Sequence, residues 1–304
     1  MNLGFVSAIL ADQSFEYVID FASENGFKCA EIMCWPVGKA ERRYAGVTHI
    51  DVDTLTKEKA GYIKQYLKDK NVEISALGYY PNPLDPNLEN RARYIEHIKK
   101  IIASAPTVGV DTVTTFIGRD QHASVSDNMK EFKKVWPDII RFAEDNGVKI
   151  AIENCPMFFT MDEWPGGKNL ATTPKIWDDM FDAIPSDSFG LNYDPSHLLW
   201  QQMDYIAPIY DYADKMFHIH IKDAKILTYQ IDRVGIMATP LEFHTPKIPG
   251  LGDIDWASFV SALTDIRYKG HAVIEVEDKA FEETLDDRLR AILQSKCYIN
   301  QFLL

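Results

Sequence analysis

The sequence predicts an α/β fold, a single (β/α)8 TIM barrel spanning residues 1–304. Three observations lead there. Short apolar runs alternate with longer amphipathic ones, eight of each. Repeated strand–helix units imply a parallel sheet, because parallel strands need a crossover, and eight such units close a barrel. A helix end, a glycine, a strand and a terminal glutamate recur over 24–31, 145–153 and 268–275, as quasi-symmetric barrel units would. A doubly wound open sheet is the alternative, but its usual glycine-rich phosphate loop is replaced here by Ala8-Ile9-Leu10-Ala11 after the first strand.

In chain order, 3–7 reads as the first strand. Residues 15–25 have helical spacing and stop at Gly26, a residue that tolerates the left-handed backbone of a helix end. A strand at 28–33, a helix at 54–70 and a strand at 72–77 follow. The helix at 88–107 is interrupted or ended near Pro106. Residues 111–117, rich in β-branched side chains, form a strand. The helix at 126–146 ends at Gly147, before a strand at 148–153. Then come helix 174–183, strand 188–193, helix 205–212, strand 216–221, helix 256–267, strand 272–276 and a final helix at 285–304. Long connections at 155–173 and 223–255 follow the fifth and seventh strands, on the face where barrels build their sites.

The composition, 46% hydrophobic and 25% charged, is that of an ordinary soluble globular protein. No stretch is long and apolar enough to span a bilayer, and the N-terminus lacks the basic region of a signal peptide. A net charge of −13 with no basic stripe argues against nucleic-acid and membrane partners. Cys29, Cys34, Cys155 and Cys297 form no C-x-x-C pair, so a reducing, cytoplasmic setting is expected.

Polar groups at C-terminal strand ends are where barrel chemistry is expected. The fifth strand ends at Glu153-Asn154 and the sixth at Asn192-Tyr193-Asp194. In the seventh, His218, His220 and Lys222 share a face by period-two alternation; in the eighth, Val273, Glu275 and Glu277 do. A lone strand-end glutamate is more often solvated, a lone strand histidine more often a bonded core residue, and Asp194 before Pro195 suits a turn or cap. Four consecutive strands each bringing such a group to one rim argue for a joint site. Glu153, Asp194, His220 and Glu275 offer three carboxylates and an imidazole, which suits one divalent ion, Mn²⁺ first, with Mg²⁺, Co²⁺ or Zn²⁺ as alternatives. A cation also relieves the repulsion between clustered carboxylates.

Around this set, His197 reads as a substrate contact, a second metal ligand or a helix N-terminal residue, the first being favoured. Lys222 reads as an anchor for a substrate oxygen or as half of a plain ion pair. Glu242 and His244 form a further carboxylate–histidine pair in the second long loop, or are exposed loop groups. Trp35, Tyr79, Phe158, Trp164 and Trp200 follow strand ends and offer sugar-stacking faces, or core. Arg42, Arg43, Arg119, Lys168, Arg233 and Lys279 are scattered candidates for a phosphate.

At these residues the chain resembles the xylose-isomerase-like barrel superfamily, the sugar phosphate isomerase/epimerase group. The resemblance rests on Ala151-Ile152-Glu153-Asn154, Asn192-Tyr193-Asp194-Pro195-Ser196-His197, His218-Ile219-His220-Ile221-Lys222-Asp223, Gly250-Leu251-Gly252-Asp253-Ile254-Asp255-Trp256 and Ile274-Glu275-Val276-Glu277. It implies that Glu153, Asp194, His220 and Glu275 bind one divalent metal, often manganese. It also implies that Glu153 and Glu275 form the acid–base pair, as in ketose 3-epimerases, and that His197 contacts substrate. A homo-oligomer is a further family expectation. Endonuclease IV is a distant relative, and Glu242-Phe243-His244 resembles its late acidic-x-His pair. Strands two and three end in Glu31-Ile32-Met33 and Leu77-Gly78-Tyr79-Tyr80, without the histidines a trinuclear zinc site needs.

The expected activity is isomerisation or epimerisation of a keto sugar or polyol by proton transfer through an enediolate. The alternatives are a lyase or dehydratase acting on a keto sugar, a keto-inositol or a 3-keto glycoside, then an endonuclease IV-like nuclease, then a non-catalytic binding protein on the same barrel.

Overall fold

The computed structural model describes residues 1–38 and 44–303. Arg42 and Arg43 lie outside the described residues. Ten strands are present among those described: β1 Asn2–Val6, β2 Cys29–Met33, β3 Glu73–Gly78, β4 Thr112–Thr115, β5 Lys149–Glu153, β6 Phe189–Tyr193, β7 Met216–Ile221, β8 Asp223–Ile226, β9 His244–Lys247 and β10 His271–Ile274. Eight of them close a parallel barrel in the order β1-β2-β3-β4-β5-β6-β7-β10, with helices between successive strands.

The helices start where short polar side chains satisfy free backbone N–H groups. Ser14, Thr56, Asn87, Ser124 and Thr284 each cap a helix in this way. The helix over Leu88–Ser104 ends before Pro106, which opens a short 3-10 turn. Outward strand residues such as Ile219 and Ile221 join the large apolar layer between barrel and helices. A smaller cluster of Val6, Cys29, Met33, Tyr80, Phe116 and Val273 fills part of the barrel interior. The rest of that interior is polar: Glu31, Ser75, Thr114, Asn192, His218 and His220 are all buried.

Three expectations need correction. The last barrel strand stops at Ile274, so Glu275 stands on the first residue beyond it. The predicted helix at 205–212 is present as the shorter Ala207–Asp211, and a separate short helix that was not expected, Ser196–Leu199, precedes it. The connection over 223–255 is also not an irregular loop: β8 and β9 form an antiparallel hairpin enclosing a helix at Thr228–Val234. Its anchor is Asp223, whose carboxylate accepts from the backbone N–H of Gly250 and Ile254 and from the Trp256 indole.

Two register shifts bend strands that feed the site. One lies between Ala30 and Glu31 in the β2–β3 pairing, the other between Leu191 and Asn192 in the β6–β7 pairing. Such irregularities re-aim side chains near functional sites. Beside the first, a Cβ on Gly78 would lie 2.6 Å from Glu31 Oε1, so only glycine leaves room for that carboxylate.

Candidate active site

Glu153, Asp194, His220 and Glu275 each direct one ligand atom to the barrel mouth, and these atoms lie within 4.8 Å of one another. Local hydrogen bonds explain the convergence. Asn154 clamps the backbone of Asp194, accepting from its N–H at 2.8 Å and donating to its carbonyl at 2.8 Å, which ties the end of β5 to the end of β6. Asp194 Oδ1 accepts from Ser196 N at 2.8 Å, leaving Oδ2 facing inward. The bland capping role and the site role thus belong to different oxygens of one carboxylate. Asn169, from the long loop after β5, donates to the carbonyls of Glu153 and Cys155 and accepts from Ile117 N, holding that loop against the mouth.

His220 is oriented from below. Its Nε2 lies 2.7 Å from Glu31 Oε2, and Glu31 Oε1 in turn accepts from the hydroxyls of Tyr80 at 2.5 Å and Thr114 at 2.6 Å. A proton on Nε2 donated to Glu31 leaves the Nδ1 lone pair aimed at the mouth, 3.2 Å from Glu275 Oε2 and 3.7 Å from Glu153 Oε1. A carboxylate behind a ligand histidine is a recurrent second layer of metal sites. Glu31 was not among the expected site residues. The repeat that ends 24–31 in a glutamate was the sequence signal for it; the bulge that turns it inward left none.

His218, on the same face of β7, lies deeper. Its two ring nitrogens contact Asn192 Oδ1 at 2.9 Å and Ser75 Oγ at 3.0 Å, and burial pushes its pKa down to about 3. It is a neutral core histidine.

Lys222 is buried among four carboxylates: 2.8 Å from Glu275, 3.0 Å from Asp194, 3.2 Å from Glu277 and 3.8 Å from Glu153. Burial favours the neutral form of Asp194, but the charges of Lys222 and His197 override it and hold that carboxyl at about 2. Burial likewise opposes ionisation of Glu153, and the neighbouring His197 and the charge of Lys222 keep its pKa well below the usual range. One ammonium facing four carboxylates leaves negative charge uncompensated. Asp194 Oδ2, Glu275 Oε2 and His220 Nδ1 are buried and lack a well-aligned hydrogen bond despite the nearby charges. Orphaned acceptors converging on one point fit a divalent cation with oxygen and imidazole ligands.

The other expected residues divide. His197 Nε2 sits 3.4 Å from Glu153 and 3.2 Å from Asp194, at the edge of the cluster. Trp35 lines the mouth together with Tyr44, Tyr80 and Phe116. His244 is near but turned away: its Nδ1 meets the Pro240 carbonyl and its ring stacks on Trp200 at 5.0 Å. Glu242 is exposed and outside the cluster. Trp164 opens onto a neighbouring cleft with Phe158 and Trp200. Tyr79 is 1% exposed, core packed edge-on against Trp35 and His97. Lys168 is paired with Glu163 at 2.9 Å.

An eight-stranded parallel barrel with carboxylates and a histidine gathered at its C-terminal mouth defines a class of barrel proteins whose chemistry sits in that mouth. The chain belongs to the xylose isomerase-like TIM barrel family, whose model matches residues 19–295. It is 26% identical to the uncharacterized protein YfiH of Bacillus subtilis (strain 168), over 91% of this chain and 93% of that one. It is 25% identical to an inosose dehydratase of Lactiplantibacillus plantarum, over 69% of this chain and 71% of the relative. Among solved structures, a D-tagatose 3-epimerase-like protein superposes with a TM-score of 0.69 at 20% identity, covering 100% of both chains. No helix of the described residues is long and apolar enough to cross a membrane, and the four cysteines are free.

Proposed function

We propose that the protein is a divalent-metal-dependent enzyme that moves a proton at the carbon next to the carbonyl of a keto sugar or keto-polyol, with isomerisation or epimerisation as the outcome. The observation that carries this is the convergence of Glu153, Asp194, His220 and Glu275 within 4.8 Å, with buried acceptors that lack a well-aligned hydrogen bond. A divalent ion held by these four groups, Mn²⁺ by preference, supplies Lewis-acid polarisation that acidifies the C–H between a carbonyl and a hydroxyl. Glu153, at the end of β5, and Glu275, just after β10, face the mouth with two strands, β6 and β7, between theirs. One takes the proton and the other returns one to the opposite face or to the neighbouring carbon. Lys222 and His197 hold substrate oxygens. Trp35 and its neighbours cover the apolar side of the ring.

A second reading, elimination of a β-substituent after the same proton abstraction, is favoured by one specific feature. The Lys222 ammonium lies 2.8 Å from Glu275, where it stands ready to donate to a departing oxygen. The likeness to an inosose dehydratase points the same way.

Proton NMR in deuterated water, with a panel of keto sugars, keto-inositols and 3-keto glycosides, tests both. Epimerisation places deuterium at the carbon next to the carbonyl of an intact sugar; elimination gives an unsaturated product. Turnover that survives in both Glu153→Gln and Glu275→Gln would reject the assignment.

A further inference from the structure

A second cleft adjoins the barrel mouth. It has a volume of about 290 Å³, is open to solvent on one side, and is lined by Arg119, Phe158, Trp164, Trp200, Ile236 and Phe243. Consecutive residues face the two spaces, Cys155 lining the mouth and Pro156 the cleft. Trp200 lies beside them: its ring lies 6.4 Å from that of His197, stacks on His244, and tilts toward Phe158 at 6.0 Å.

The cleft is built before any ligand arrives. Glu163 is buried and accepts from the backbone N–H groups of Phe159 and Thr160 while pairing with Lys168, which folds the Phe158–Trp164 segment on itself. Gly166 and Gly167 let that segment lie directly on the backbone at Gln121 and Pro156, where a Cβ would collide. The resulting surface is accessible at Trp164, which is 37% exposed, and at Ile236, which is 51% exposed, while Trp200 shows 5% of its surface.

One cation punctuates this apolar surface. The Arg119 backbone is fixed by Asn82, which donates to its carbonyl and accepts from its N–H. Its guanidinium has spent little of its capacity. Nε is buried without a hydrogen-bond partner, and Nη2 reaches the Ala123 carbonyl only at 3.5 Å. A half-buried guanidinium beside tryptophan faces suits a flat ring that carries an anionic or phenolic oxygen.

We propose that this cleft is a subsite for an aromatic substituent of the substrate, with the ring against Trp164 and Trp200 and an oxygen on its far edge held by Arg119. The substrate class would then be glycosides or esters of phenolic rings whose sugar part lies in the mouth. This extension rests on the sugar reading of the mouth, but the cleft itself is testable without it.

The probe is 4-hydroxybenzoate, titrated calorimetrically into the full-length protein with and without Mn²⁺. Binding is expected in both states and should weaken about tenfold in Trp164→Ala and in Arg119→Met, the latter keeping an apolar stem without the guanidinium. Phenyl β-glucoside should likewise bind about tenfold more tightly than methyl β-glucoside, an advantage lost in Trp164→Ala. Probe binding with that sensitivity, in a protein that turns over no keto sugar, would uphold the cleft and reject the proposed function. No binding at millimolar probe, together with equal affinity for the two glucosides, would overturn the cleft whatever the turnover. A disaccharide that matches the phenyl glucoside while 4-hydroxybenzoate fails would overturn it in favour of a second sugar ring.

Discussion

The two halves of the barrel mouth are chemically opposite. The half built by β5, β6, β7 and β10 presents Glu153, Asp194, His220, Lys222, Glu275 and Glu277. The half built by β1 to β4 presents Val6, Met33, Trp35, Tyr80 and Phe116. Reactive charge is therefore concentrated on one side of a small cavity, and the other side offers carbon and ring faces. This division separates holding the skeleton of a ligand from acting on it. Polar contacts cross the line inside the barrel, from Ser75 to His218 and from Tyr80 to Asn192, and a further one reaches the candidate metal-binding set. Glu31 belongs to β2, on the apolar side, yet its carboxylate reaches through the interior to orient His220 on the charged side.

The comparison breaks most readily at the charged half. Replacing Glu153 or Glu275 by Gln should cut kcat by about 10³-fold or more, since each loses its proton-transfer role. Circular dichroism and Tm should stay close to the parent's, because both side chains sit at the rim. A kcat within tenfold of the parent would show that the charged half is structural.

Metal addition comes next. Titrating Mn²⁺ into chelator-treated protein should raise Tm in a saturable way, with a stabilisation of about 2.7 kcal/mol at a hundredfold excess over Kd. A Tm that does not respond would mean that the orphaned acceptors hold no cation.

The bridging residue gives a finer test. Glu31→Gln should weaken metal affinity by about 10- to 100-fold in calorimetry, with activity recovering at saturating metal. Unchanged affinity would reduce Glu31 to a core polar group. On the apolar side, Trp35→Leu should raise KM several-fold with little change in kcat, because it removes contact area and no reacting group. A larger loss in kcat than in binding would blur the division between the halves.

The smallest effect tests independence. Arg288 ties the C-terminal helix to the Ile9 carbonyl and to Asp12, at 2.7 and 3.0 Å. That pair holds Asp12 down at about 2. Because the folded value lies below the ordinary carboxylate value, its stabilisation is present above about pH 4 and disappears as pH falls toward 2. Asp12 is largely exposed and its charge screened by solvent, so Asp12→Asn should cost less than about 1 kcal/mol at neutral pH and nothing near pH 2, read from urea midpoints. Metal affinity should not move.

The sequence reading went furthest where periodicity and strand ends carried the signal. Eight strand–helix units were visible as alternating apolar runs, and Glu153, Asp194 and His220 were visible because parallel strands deliver their last residues to one face. Glu275 was placed on a strand face and proved to lie one residue beyond the strand, still at the rim. What escaped has local causes. Glu31 turns inward at a register shift set by tertiary pairing, with the room kept by Gly78. The hairpin of β8 and β9 has little of the alternation that marks a half-buried strand; its second strand is His-Thr-Pro-Lys, and it is held largely through the buried carboxylate of Asp223. Glu242 and His244 lie close in sequence, but the first is exposed and the second is bonded to the Pro240 carbonyl and stacked on Trp200. Trp164 was expected over the sugar and faces the adjoining cleft, because the glycines after it press the segment against Gln121 and Pro156.

The central claim is that four side chains share one cation. Equilibrium dialysis against Mn²⁺, read by elemental analysis, should give one ion per chain in the parent protein and essentially none in folded Asp194→Ala and Glu275→Ala variants. One ion per chain in both variants, or none in the parent at millimolar Mn²⁺, would contradict it.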